Sequence, residues 1–203
     1  MTGPGRRLRE LRIVLDRQGY RPLPDLLEMI LGPPESRATV PENKLEALSL
    51  TGGPILGADM KRLLASTVFS GVRRFMFRSR MIGALELEAL VEDRPVESLE
   101  LEYHEFGEGI VALGAHAQAL KTLKMSWCTI RGKDFKALLK NGAFPKLEVL
   151  SLGFNRLGKT GGVAMGKSTA FPALRELDLR DCGIGPDTVA AIASGPLAAV
   201  VSS

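Results

Sequence analysis

The chain has 203 residues, 45% hydrophobic and 25% charged, with a formal net charge of +4; it can bury a sizeable core and is too apolar for intrinsic disorder. The charge is split between a basic start (Arg6, Arg7, Arg9, Arg12, Arg17) and an acidic middle (Glu86 to Glu108), so it forms no continuous stripe for nucleic acid. No apolar run approaches the roughly 18 residues of a membrane span, no signal-peptide core stands at the N-terminus, and Cys128 and Cys182, 54 positions apart, make no disulfide framework; a cytoplasmic, reducing location is expected.

In chain order, Leu8, Leu11 and Ile13 open a strand frame, and Leu26, Leu27, Met29, Ile30 and Leu31 form an apolar helical stretch after Pro24. Residues 32–44, rich in Pro and polar side chains, interrupt the pattern and read as an inserted surface loop. Thereafter a frame L-x-x-L-x-L-x-x-C-x-I recurs, clearest at Leu174, Leu177, Leu179, Cys182 and Ile184. Its first residues are Leu8, Leu45, Val72, Val96, Leu120, Leu147 and Leu174, at offsets of 37, 27, 24, 24, 27 and 27. Seven copies of a leucine-rich repeat result. Helical spacing fills the gaps: Ile110, Val111 and Leu113; Phe135, Leu138 and Leu139; and Val189 with Ile192, for which Asp187 is the expected cap. The reading is one domain over residues 1–203.

The turn phrases N-x-L-G at Asn155 to Gly158 and C-x-I-G at Cys182 to Gly185, in copies of this length, resemble the ribonuclease-inhibitor type of leucine-rich repeat, over nearly the whole chain. That resemblance implies an α/β right-handed solenoid, or horseshoe, with parallel strands on the concave face and a full helix per copy on the convex one. It also implies that Asp16, Gly53, Arg80, His104, Cys128, Asn155 and Cys182 occupy the position whose side chain ties the turn; Gly53 and Arg80 depart from the pattern. On this frame His104 is a turn residue rather than a catalytic base, and the cysteines are buried thiols.

Two overlapping matches to the phosphate-loop pattern, GFNRLGKT (Gly153 to Thr160) and GGVAMGKS (Gly161 to Ser168), compete with that reading. Repeat phase accounts for the same residues: Asn155 ties a turn, Leu157 is core and Gly158 is a turn glycine. Asp178 sits in an alternating frame rather than at the end of an apolar strand. Lys159, Thr160, Lys167 and Ser168 are then solvated positions. A P-loop-like nucleotide-binding protein is one alternative. Another is a GTPase-activating protein, since Ran GTPase-activating proteins share this repeat type and Arg74, Arg78, Arg131 and Arg156 lie near the sheet or its turns.

The expected site is the concave face, because alternate strand residues project there. The fifth frame positions run Arg12, Ser49, Met76, Glu100, Lys124, Ser151, Asp178, and the seventh run Val14, Thr51, Arg78, Glu102, Ser126, Gly153, Arg180. Arg78 should pair laterally with Glu102, and Glu100 with Lys124. The eighth positions place Tyr103, Trp127 and Phe154 in a row, either as an exposed ridge or folded over the strand ends. As a ridge it would lie beside Ser126, Ser151 and Gly153, small residues leaving room for an inserting group, with Arg78, Lys124, Asp178 and Arg180 completing the partner-binding set. The function read from this is a non-catalytic module binding a protein partner, with no catalytic residue, cofactor or metal, and with no nucleic-acid or membrane contact. Core left uncovered at the ends would favour self-association or a longer parent chain.

Overall fold

The structure, a computed structural model, describes residues 9–14, 45–52, 57–66, 69–78, 82–92, 94–116 and 118–198. The first helical stretch, the loop at 32–44, the turn positions Asp16, Gly53 and Arg80, and the tail near Val201 lie outside the described residues. Seven strands pair in parallel, in chain order, in one open sheet: β1 (Glu10–Val14), β2 (Ala47–Thr51), β3 (Arg74–Arg78), β4 (Ser98–Glu102), β5 (Thr122–Ser126), β6 (Val149–Ser151) and β7 (Glu176–Asp178). Leu11, Leu48, Phe75, Leu99, Leu123, Leu150 and Leu177 stand in register from strand to strand. The fourth position of every copy is therefore one row of the sheet, including the first copy.

From β2 to β7 each connection passes through helical structure on the far side of the core, α1 (Gly57–Ala65), α2 (Ala84–Glu92), α3 (Ala112–His116), α4 (Gly132–Asn141) and α5 (Gly158–Gly166), and α6 (Pro186–Ser194) follows β7. The apolar frame is buried between the two layers, where one copy alone could not cover it. This is an α/β leucine-rich repeat solenoid. None of the helices among the described residues is long and apolar enough to cross a membrane.

The leading rim of the sheet carries a regular feature. The second frame position runs Arg9, Glu46, Arg73, Glu97, Lys121, Glu148, Arg175, alternating in sign across all seven copies. Each of the first six carbonyls accepts two N–H groups from the next copy, as Glu97 O does from Lys121 and Thr122 at 2.8 and 3.1 Å. At two of these steps the side chains also pair, Lys121 3.0 Å from Glu97 and Arg9 3.8 Å from Glu46.

The helical layer departs from the expected regularity in two places. The fourth copy has no full helix: a 3-10 turn over Gly107–Val111 runs into the five-residue α3. The third copy is equally short, at 24 residues, yet keeps the nine-residue α2, so copy length alone does not account for the 3-10 turn.

In the last copy, Asp187 is not the cap of α6. Gly185 caps it and Pro186 fills the first turn, while Asp187 reaches Lys159 on α5 at 2.6 Å. Val189 is 61% exposed, and Thr188 takes the inward position, fully buried, with Ile192 one turn on. The reason lies on α5, where Gly162 and Gly166 leave room for Thr188 and Ala191 to approach its backbone.

Thr188 Oγ1 has no hydrogen-bond partner there. Thr188→Val keeps the shape and removes the stranded hydroxyl, so it should stabilise the fold by about 1 kcal/mol, a rise of roughly 2–4 °C in Tm. A thermal melt that falls instead would reveal a partner for the hydroxyl.

Candidate functional site: the strand-exit rim

As β4 to β7 leave the sheet, the chain turns so that the ninth frame residue, His104, Cys128, Asn155 or Cys182, points inward. This requires a left-handed backbone at the eighth residue. Gly52 supplies it in copy two with φ 110°, and the later copies use Tyr103 (66°), Trp127 (57°), Phe154 (61°) and Asp181 (53°).

The inward residues then tie the copies together. Asn155 Oδ1 accepts the N–H groups of Cys128 and Ile130 at 3.1 and 3.0 Å, and its Nδ2 donates to Met125 O and Leu152 O at 2.6 and 2.7 Å. Cys128 Sγ donates to Leu101 O at 3.4 Å and Cys182 Sγ to Leu152 O at 3.0 Å. Burial pushes the Cys128 thiol up to about 12, which leaves it without thiolate reactivity.

His104 holds the same position and does the same work. Its Nδ1 accepts the N–H of Ile82 at 3.2 Å and its Nε2 lies 3.0 Å from Phe77 O, which fixes the neutral tautomer with the proton on Nε2. Burial lowers its pKa below the ordinary 6.5, partly opposed by the bond to Phe77. The unfolded chain therefore binds a proton more readily. Stability is fully present above a pH of about 6.5 and is lost as pH falls from there towards the lower folded value, by at most about 1.4 kcal/mol per unit. His104→Asn, which substitutes the residue of the sixth copy, should flatten this slope in denaturant titrations between pH values of about 7 and 5.5.

The outward residues are the aromatic row. Tyr103 and Trp127 stack with centroids 6.2 Å apart, and Trp127 and Phe154 stack at 4.5 Å with planes 6° from parallel. These spacings bracket the strand separation of about 4.8 Å, as expected of rings carried one per strand. Exposures of 49%, 49% and 36% place the rings outside the core. They cover one another's faces and turn their edges to solvent.

The charged members of the predicted site are mutually satisfied. Arg78 meets Glu102 at 3.3 Å and Lys124 meets Glu100 at 3.1 Å, the lateral pairs expected from the frame. Arg180, two residues beyond the end of β7, chelates Asp178 with both bonds at 2.9 Å, and this pairing holds the Asp178 carboxyl down at about 2. These cations are therefore not free to set a charge preference beside the ridge. Ser126 is half-buried on β5. Ser151 is not an open floor: it is 8% exposed and donates to Asp178 Oδ2 at 3.0 Å.

The two glycine-rich matches fall on repeat structure. The first runs from the tied turn at Asn155 into α5, and Gly161 to Gly166 of the second lie within α5. Gly161 packs on Gly132, Gly162 on Thr188 and Gly166 on Ala191. Lys159, Thr160 and Lys167 are exposed, and Ser168 Oγ accepts the N–H of Ala170. No group of three metal-ligating side chains occurs among the described residues.

Reading the frame one position at a time misses an arginine pair at this rim, because it joins different positions. Arg131, the twelfth residue of copy five, forms a parallel bridge with Arg156, the tenth of copy six.

A family model described as Leucine Rich repeat matches residues 145–166 and 172–193. Comparison with curated proteins gives no significant match. The matched segments are the sixth and seventh copies of an array whose other five strands keep the same register, and they support a leucine-rich repeat protein.

Proposed function

We propose that the chain is a non-catalytic, cytoplasmic module of the ribonuclease-inhibitor-like type that binds a protein partner through the exit side of its concave face, with Tyr103, Trp127 and Phe154 as the contact ridge. Leucine-rich repeats in general mediate protein–protein interaction. The observation that carries the reading here is the placement of three consecutive half-exposed aromatics at left-handed positions. Such a backbone costs an L-residue about 1–2 kcal/mol, and copy two meets the same turn with glycine. Backbone strain kept at a surface position, with large rigid rings that bury much area and freeze few rotors, fits a binding function better than a structural one. The buried, backbone-bonded thiols suit a reducing compartment.

The test uses the full chain. Trp127→Asn keeps a residue tolerant of the left-handed turn and removes the centre of the stack. It should abolish capture of the partner in a pull-down while melting within a few degrees of wild type. Undiminished capture would remove the ridge from the function. The same melts with Mg-ATP and Mg-GTP should show no rise; a rise abolished by Lys159→Ala or Lys167→Ala would establish nucleotide binding instead.

A further inference from the structure

Across the paired positions of the described sheet, no two like charges adjoin. Glu100 faces Lys124, Arg78 faces Glu102, and the leading rim alternates throughout. The bridge between Arg131 and Arg156 breaks this rule by setting two exposed guanidinium groups on neighbouring chain segments. Like charges placed opposite one another destabilise a sheet. Arg131 Nε is held by the buried carboxylate of Asp134 at 3.0 Å, while the arginine side chain as a whole is more than half exposed. Arg156 has no ion-pair partner among the described residues. Both line an open recess of about 520 Å3 with Glu105, Phe106, Gly107 and Thr129. Thr129 and Arg156 follow Trp127 and Phe154 by two residues in the chain, although the rings themselves do not line the recess.

We infer that Arg131 and Arg156 form the acid-recognising half of the binding surface and take one Asp or Glu carboxylate from a partner segment whose neighbouring apolar side chain covers the edges of Trp127 and Phe154. This rests on the ridge being the contact surface. A carboxylate between the two guanidinium groups supplies the negative charge that the other lateral pairs already contain, through charge-assisted hydrogen bonds. Glu105 on the wall of the same recess favours a single carboxylate over the repeated phosphates of a nucleic acid. The occupant is therefore an acidic peptide segment.

Arg156 is the residue to change, since it holds nothing else in place, whereas replacing Arg131 would strand Asp134. A random-peptide phage library is selected on the full-length protein, and the selected peptides are titrated against wild type, Arg156→Gln and Trp127→Asn; in wild type and Arg156→Gln the change in the emission of Trp127, the single tryptophan, reports binding, and all three are compared by calorimetry. The expected result is enrichment of Asp or Glu next to Leu or Phe, with about tenfold weaker binding to Arg156→Gln. That variant should melt at the wild-type temperature or above it, because removing one of two repelling cations relieves the fold while it impairs the site. Selection of sequences without acids, no selection at all, equal binding by Arg156→Gln, or displacement of the peptide by polyuridine RNA would overturn the inference. Peptides that ignore Arg156 but lose affinity on Trp127→Asn leave the ridge standing without its acid site, whereas peptides indifferent to Trp127→Asn overturn the ridge itself.

Discussion

Asn155→Ala should lower the unfolding free energy by about 3–5 kcal/mol, a large share of the stability of any domain. The side chain is 3% exposed, and its truncation removes the bonds it makes to the N–H groups of Cys128 and Ile130 and to the carbonyls of Met125 and Leu152, of which Leu152 O keeps Cys182 Sγ. A buried donor left unpaired costs about 1–3 kcal/mol. The lost side chain also joined copies five and six, so the damage falls on the interface between repeats as well as on the turn. Asn155→Asp should be no milder. It keeps the acceptor for the two N–H groups but points a carboxylate oxygen at two carbonyl oxygens. Urea midpoints would measure both effects. A loss below about 1 kcal/mol for the alanine variant would mean that water takes over the network.

Gly132→Ala is expected to be comparably severe, at about 3 kcal/mol or more, for a different reason. A Cβ at this first residue of α4 would press on Leu157 O and stand 2.7 Å from Gly161 N and 3.2 Å from Thr160 Cβ. Two of these neighbours are backbone atoms, which cannot turn aside as a flexible side chain can. The fold must therefore separate α4 from α5, and with them the close contact of Gly132 with Gly161. Gly153→Ala is the control: its Cβ would find only ordinary contacts, at 3.5 Å and beyond, and stability should change by no more than about 0.5 kcal/mol. Both glycines can be compared in one set of thermal melts. Equal effects would show that helix packing tolerates more separation than these distances imply.

The strand frame was legible in the sequence because burial on one face of every strand forces an apolar residue at the same two or three positions of every copy, from Leu11 to Leu177. The ladder role of His104, Cys128, Asn155 and Cys182 was legible for the same reason. Helix faces were less so. Val189 and Thr188 are adjacent, and which of them points inward depends on the glycines of the preceding helix, a relation that no single-helix periodicity contains. The aromatic row could be read, but its exposure could not, because it follows from the left-handed turn at the eighth residue. The satisfaction of Arg180 by Asp178 at the end of β7 and the bridging of Arg131 with Arg156 depend on geometry across frame positions. The alternating rim at the second position was visible throughout, one residue away from the leucines that define the frame.

That alternation bears on how the array assembles. The apolar frame is nearly the same in every copy, so a strand could dock beside the wrong neighbour with its leucines still covered. The charges bias that choice. A copy that skipped its neighbour would bring Glu46 against Glu97, or Arg73 against Lys121, and the same mismatch would face any foreign copy inserted out of turn. Each mismatch is small, within the 0.2–1 kcal/mol of an exposed pair, but the correct order gains the attraction where the wrong one incurs the repulsion. The rim thus acts as a parity check along the solenoid, giving otherwise interchangeable copies a sense of odd and even.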